Sequence, residues 1–190
     1  MIKKITVFMP LAFILSAILL CQQNQKPQLP LLEQPLLITS AGQSAEVQIA
    51  SVLAKKAGLS SVLAKVATAK DLQGIKSLVL VIGVSLKGLG AAGLDVSKEK
   101  KRVQLLIHQA AQQHIPLLCL HLGGDARRGQ LSDEFITEFL PHASLAIVVK
   151  SGNEDGLFTN ICQKNNIPLI EVEKTIEVLQ PLKQIFARGE

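Results

Sequence analysis

The chain has no tyrosine and no tryptophan, and only six phenylalanines among 190 residues, two of which, Phe8 and Phe13, fall in the first twenty positions. Platforms that stack sugars or bases need exposed aromatic faces, so binding of that kind is not expected. Charge is scarce as well: 18% of residues are Asp, Glu, Lys or Arg, against roughly 25% in ordinary soluble domains. Of the formal net charge of +5, Lys3 and Lys4 supply two in a leader that has no acid, which leaves +3 for the rest. That field is too weak to argue for nucleic acid as a partner. The three cysteines, Cys21, Cys119 and Cys162, are spread too widely for a metal site, and no compact spacing of acids provides one. What the chain does have is apolar residues, 48% of the total, which excludes disorder for its bulk.

The leader bears on the compartment. Met1-Ile2-Lys3-Lys4 is a short basic stretch, and Ile5 to Leu20 is an apolar run of 16 residues. This is the pattern of an export signal or membrane anchor. The run falls short of the roughly 20 apolar residues that span a bilayer comfortably. Ile18-Leu19-Leu20-Cys21 resembles the lipobox of bacterial lipoproteins, which implies lipidation of Cys21; Leu20 stands where that pattern has a small residue. A retained signal anchor and cleavage near Ala17 are the alternatives. Each implies an exported protein, and the first two hold it to the membrane through its N-terminus. Gln22 to Pro35 (QQNQKPQLPLLEQP) has no helical or strand period and reads as a flexible tether, ahead of one domain over residues 36–190.

From Leu36 onward apolar runs alternate with helical patterns. Leu36–Thr39, Ser77–Gly83, Ile115–Leu120, Leu145–Val149 and Pro168–Val172 read as buried strands, and Val62–Ala67 as a weaker one. Between them lie amphipathic stretches. One carries Val47, Ala50, Leu53 and Ala54 and stops at Gly58; another runs from Ser97 to His114; a third is capped by Ser132. A fourth spans Glu154–Asn165, and the last is kinked at Pro181. Strands apolar throughout, alternating with such helices, predict a three-layer α/β/α domain. Its mainly parallel, doubly wound sheet has five to six strands and is Rossmann-like or flavodoxin-like. In these folds a crevice opens at the carboxyl ends of the strands, where the strand order reverses.

The small and polar residues gather where that rule asks for them. The first strand is followed by Thr39, Ser40, Gly42, Gln43 and Ser44, and the third by Ser85, Lys87, Gly88 and Gly90. After the fourth come His121, Gly123, Gly124, Asp125, Arg127 and Arg128, and after the fifth Ser151, Asn153 and Asp155. Glycine lets backbone amides approach a ligand, helix N-termini favour anions, and the cations add donors. A small anionic or polar molecule is the ligand this predicts. Gly88-Leu89-Gly90-Ala91-Ala92-Gly93 matches a dinucleotide pattern, but after the third strand rather than the first, and NAD and ATP are scarce outside the cell; no cofactor is expected.

The stretches TSAGQS, SLKGLGAAG (with its GLGAAG core), HLGGDARRGQLSD and SGNEDGLF resemble an uncharacterised family of exported bacterial α/β proteins, a domain of unknown function. The resemblance covers Pro35 to Phe186. It implies a single α/β domain and carries no activity, cofactor or catalytic residue. Three functions stay open. The first is a membrane-tethered module that binds a small anionic or polar ligand. The second is a hydrolase-type enzyme using His121 with Ser40 or Ser44 and Asp125, and the third an interaction subunit that meets a membrane-protein partner and holds no ligand. A crevice sealed by the chain's own side chains favours the last, and an open one the other two.

Overall fold

The structure, a computed structural model, describes residues 29–186. The leader, the lipidation candidate Cys21 and the first part of the expected tether lie outside the described residues. Strands whose side chains are apolar at every position can be buried on both faces, and six strands form one all-parallel sheet in the order β2-β1-β3-β4-β5-β6. They are β1 (Leu36–Ala41), β2 (Ser61–Leu63), β3 (Ser77–Ile82), β4 (Leu117–His121), β5 (Leu145–Val149) and β6 (Leu169–Val172). The helices are α1 (Glu46–Lys56), α2 (Leu86–Ala91), α3 (Val96–Gln112), α4 (Gln130–Phe139), α5 (Leu157–Lys164) and α6 (Leu179–Ile185).

Side chains alternate along each strand and so feed two cores. Leu36 and Ile38 of β1, with Val79 and Val81 of β3, pack under Val47, Ala50 and Leu53 of α1 and Leu182 and Ile185 of α6. On the other face Leu37, Leu78 and Leu80 meet Val103, Leu106 and Ile107 of α3, Phe135 and Phe139 of α4, and Phe158 of α5. The three-layer α/β/α expectation holds, and the strand order is the flavodoxin type, with its reversal between β1 and β3.

Local readings differ from the structure at several points. The glycine-rich stretch after β3, expected as a loop, contains the short helix α2, capped by the Ser85 hydroxyl, which accepts from Gly88 N–H at 3.1 Å. Ser132 does not cap α4: that helix begins at Gln130 behind Gly129, and the buried Ser132 hydroxyl accepts instead from Val84 N–H. α5 starts at Leu157 rather than Glu154 because Lys150–Asn153 form a separate 3-10 turn. β2 is three residues long, ending at Leu63, although the next two residues still bond to β1, with Ala64 N–H donating to Ile38 O and Ser40 N–H to Lys65 O. Pro181 lies in the first turn of α6, where a missing N–H has no partner within that helix to lose, and the stretch before it, Thr175–Val178, is a separate 3-10 turn. The stretch read as tether up to Pro35 is bound to the domain over its last four residues. Leu32 is buried and donates its N–H to Ile185 O, the Ser77 hydroxyl donates to Glu33 O, and Lys76 N–H donates to Pro35 O.

Candidate functional site

The reversal between β1 and β3 brings the two loops that follow these strands side by side. They are joined backbone to backbone. Gly83 N–H donates to Ala41 O at 3.0 Å, Ser85 N–H donates to Gly42 O at 2.8 Å, and Gln43 pairs with Val84 in an antiparallel bridge. The fit is close: Gly42, at φ +103°, has room for no Cβ, which would lie 2.6 Å from Gly83 O. Gln43, buried at φ +59°, turns its amide under the loop and donates to Lys65 O and to Glu99.

Glu99 is the hub beneath. Its carboxylate is fully buried and accepts from Gly42 N–H at 2.9 Å, from the Gln43 amide at 2.9 Å and from Arg102 Nε at 2.8 Å. Arg102 also donates to Ala67 O and Ser40 O, tying α3 to the ends of β1 and of the segment after β2. Neither residue stood out in the sequence, because both sit in the charged run Ser97–Arg102 (SKEKKR), which looks like a solvated helix face. Thr39 and Ser40 lie fully buried under this cluster; Thr39 donates to Lys65 O, and the Ser40 hydroxyl has no hydrogen-bond partner.

Towards β4 a second ion pair closes the edge. Arg127 Nε donates to Glu46 at 2.6 Å, joining the segment after β4 to the first turn of α1. Burial pushes the Glu46 carboxyl up, but the Arg127 hydrogen bond leads a set of contacts that carry it below its ordinary value. Ser44 is buried beside Gly83, and Gly123 is packed against the Arg127 side chain.

A third cluster covers β4 and β5. Arg128 binds Asp133 through Nε at 2.6 Å and Asp155 through both terminal nitrogens at 3.0 and 2.7 Å, and it also donates to Gly152 O. The guanidinium holds the Asp155 carboxyl down at about 2. Asn153 accepts from Phe158 N–H at 2.8 Å and donates to Thr159 and Glu171, so it starts α5 rather than meeting solvent. Gly124, at φ +57°, and Gly152 let the segments after β4 and β5 touch. A Cβ on Gly124 would lie 2.3 Å from the Ser151 hydroxyl, and one on Gly152 2.7 Å from the His121 ring.

His121 is thus covered. It is 1% exposed, with Nδ1 3.0 Å from Ile82 O and Nε2 3.0 Å from Gly124 O, and its ring rests on Phe158. Both nitrogens face backbone carbonyls, and neither meets Ser40, Ser44 or Asp125; Asp125 is exposed. A general base needs a free nitrogen within hydrogen-bond reach of a reacting group, so the expected Ser–His–Asp arrangement is not assembled. Burial pushes the imidazole below its ordinary value, outweighing the two carbonyls that favour its charged form. The unfolded chain therefore takes up a proton, near pH ~6.5, that the folded chain accepts only at lower pH, and stability is expected to fall as pH drops through that value. Thermal melts from about pH 8 to about pH 5 check this, with a His121→Gln variant expected to show a shallower slope.

Of the residues expected at a ligand, Lys87 and Gly90 on α2 are exposed, while Gly88 of the same helix is pressed against Gln43 O. The structure brings Ser44, Gly123 and Arg127 together in the centre, and Gly124, Arg128, Ser151 and Asp155 on one side, in each case around the chain's own partners. Among the described residues no three His, Cys, Asp or Glu side chains gather as a metal-binding group.

The family model of a domain of unknown function, DUF6305, matches residues 33–186. The chain belongs to this family. The DUF6305 domain so bounded includes the docked segment from Glu33 and every cluster described above. No curated protein matches the sequence. Among solved structures, AlinE4, an SGNH-hydrolase family esterase, matches over 85% of this chain and 85% of its own at 10% identity, with a TM-score of 0.30. A variant of the same esterase gives a TM-score of 0.30 at 10% identity, again over 85% of each chain. At such values the likeness carries no argument about the chemistry of the DUF6305 domain.

Proposed function

We propose that the protein is an exported, membrane-tethered interaction module that presents the carboxyl edge of its sheet to a membrane-protein partner. The observation that carries this reading is the closure of that edge. Its loops are bonded to one another, and the two arginines suited to an anion are held by Glu46, Asp133 and Asp155. A small-molecule site is a concavity lined by converging polar groups. Depressions lined by Cys162 and Pro168, by His114 and Ser144, by Gly58 and Lys183 and by Gly74 and Lys76 open at the opposite, amino edge, and one lined by His108 and Phe139 lies between α3 and α4. At the carboxyl edge, by contrast, Leu86 at the start of α2 is 67% exposed and Ile176 after β6 is 53% exposed. Large apolar side chains set among polar neighbours suit a protein surface rather than a solute.

A photo-crosslinking side chain placed at position 86 of the full chain in cells is expected to trap a membrane protein, with none trapped from position 105 on the outer face of α3. Leu86→Glu combined with a crosslinker at Ile176 is expected to lose the product. No product from either position would overturn the reading. So would a small molecule retained by the purified full chain in native mass spectrometry and released by Arg127→Ala.

A further inference from the structure

We infer that the amino edge of the sheet is the face that meets the membrane, its lysines binding the headgroups of anionic phospholipids; this deepens the reading above and rests on the same tether. In a parallel α/β sheet the helices run back against the strands, so their C-termini collect at the amino edge. Lys55 and Lys56 end α1, Lys164 ends α5, Lys183 lies in the last turn of α6, and Lys76 precedes β3. All five are exposed, and none takes part in an ion pair found among the described residues. Glu33 lines the same depression as Lys76, and Glu138 is met by Lys100 at 3.2 Å. Lysine at a helix C-terminus complements the helix dipole, which accounts for four of these residues. It does not account for Lys76, which is not on a helix.

The second observation is where the chain arrives. Leu31 and Glu33 line one depression with Lys76, and Gln34 lines another with Lys56 and Lys183. The segment leading in from the apolar leader therefore passes between these lysines. Just before it, Leu29 is 39% exposed and Leu31 is 68% exposed, a pairing of apolar and cationic side chains suited to a lipid interface. Residues 21–28 separate the leader's apolar run from Leu29. Fully extended they reach roughly 28 Å, less than the size of the domain itself, so the edge they join is held towards the bilayer. The opposite edge is mixed: exposed Asp125, Glu154, Glu173 and Glu177 stand among exposed Lys87, Lys150 and Lys174, and Lys150 pairs with Glu173 at 2.8 Å. An anionic surface attracts the first edge, whose lysines have no ion pair among the described residues, more than the second, whose charges offset one another, and this turns Leu86 and Ile176 towards the part of the partner that stands clear of the bilayer.

The test is amine acetylation of the full chain, read lysine by lysine by mass spectrometry, in vesicles of phosphatidylcholine alone or mixed with phosphatidylglycerol. Lys56, Lys76 and Lys183 are expected to react several-fold more slowly in the anionic vesicles at low salt. That protection should vanish at about 0.5 M salt, while Lys87 on the far edge reacts alike throughout. Equal labelling of Lys56, Lys76 and Lys183 in both vesicles, with the chain still bound, would overturn the lysine face and leave the tether standing. A chain that protects these lysines at low salt but leaves the vesicles at high salt would support the lysine face and overturn the tether.

Discussion

Arg102→Ala is expected to destabilise the domain by about 3–5 kcal/mol, measured as the shift of the urea unfolding curve. The magnitude follows from what the arginine leaves behind. Glu99 is fully buried, and the guanidinium, whose side chain is 9% exposed, supplies two of its hydrogen bonds. Without it the carboxylate keeps Gly42 N–H and the Gln43 amide as partners but loses its counter-charge, and the carbonyls of Ala67 and Ser40 lose their donor. Leaving a buried charge unpaired is far more costly than removing both charges together, so Glu99→Gln combined with Arg102→Met is expected to recover more than half of the loss. The amide oxygen of the new glutamine can still accept from Gly42 and Gln43. A single-variant effect under about 1 kcal/mol would mean that the pair behaves as a solvated surface bridge and does not close the edge.

The architecture was legible because burial on both sheet faces leaves strands little choice of side chain. Ser77–Ile82 and Leu145–Val149 are buried at every position, and Leu78–Ile82 and Leu145–Val149 each read as an unbroken apolar run. β2 was the weakest reading for the complementary reason: as an edge strand with Val62 and Leu63 exposed, it is under no such constraint. The site was legible in its location and not in its state. Gly42, Gly88, Gly124 and Gly152 mark places where backbone comes close to something, but a glycine does not encode whether that is a ligand or the next loop. Arg127 finds Glu46 across 81 positions and Arg128 finds Asp155 across 27, pairings that only the strand order brings about. Glu99 and Arg102 were hidden by their company, since one run of lysines and glutamate contains both the buried and the solvated charges of α3. The register of that helix on the sheet, absent from local sequence, decides which is which.

Two glycines of α2, two residues apart, are expected to respond to alanine with opposite signs. Each change improves helix propensity by up to about 1 kcal/mol. At Gly90 nothing lies within 4 Å of the new Cβ, so Gly90→Ala is expected to stabilise by about 0.5–1 kcal/mol. At Gly88 the Cβ would fall 2.0 Å from Gln43 O and 3.1 Å from Gln43 C, both main-chain atoms held by the Glu99 cluster and the bridge to Val84. A flexible side chain could swing aside, but this backbone can yield only if the loops after β1 and β3 part. The overlap therefore outweighs the propensity gain, and Gly88→Ala is expected to destabilise by about 2–3 kcal/mol net. Chemical denaturation of the two variants beside the parent reads both signs in one experiment. If Gly88→Ala proved neutral or stabilising, the two loops would not be in contact, the crevice between β1 and β3 would be open, and the case for an interaction surface over a ligand site would lose its central observation.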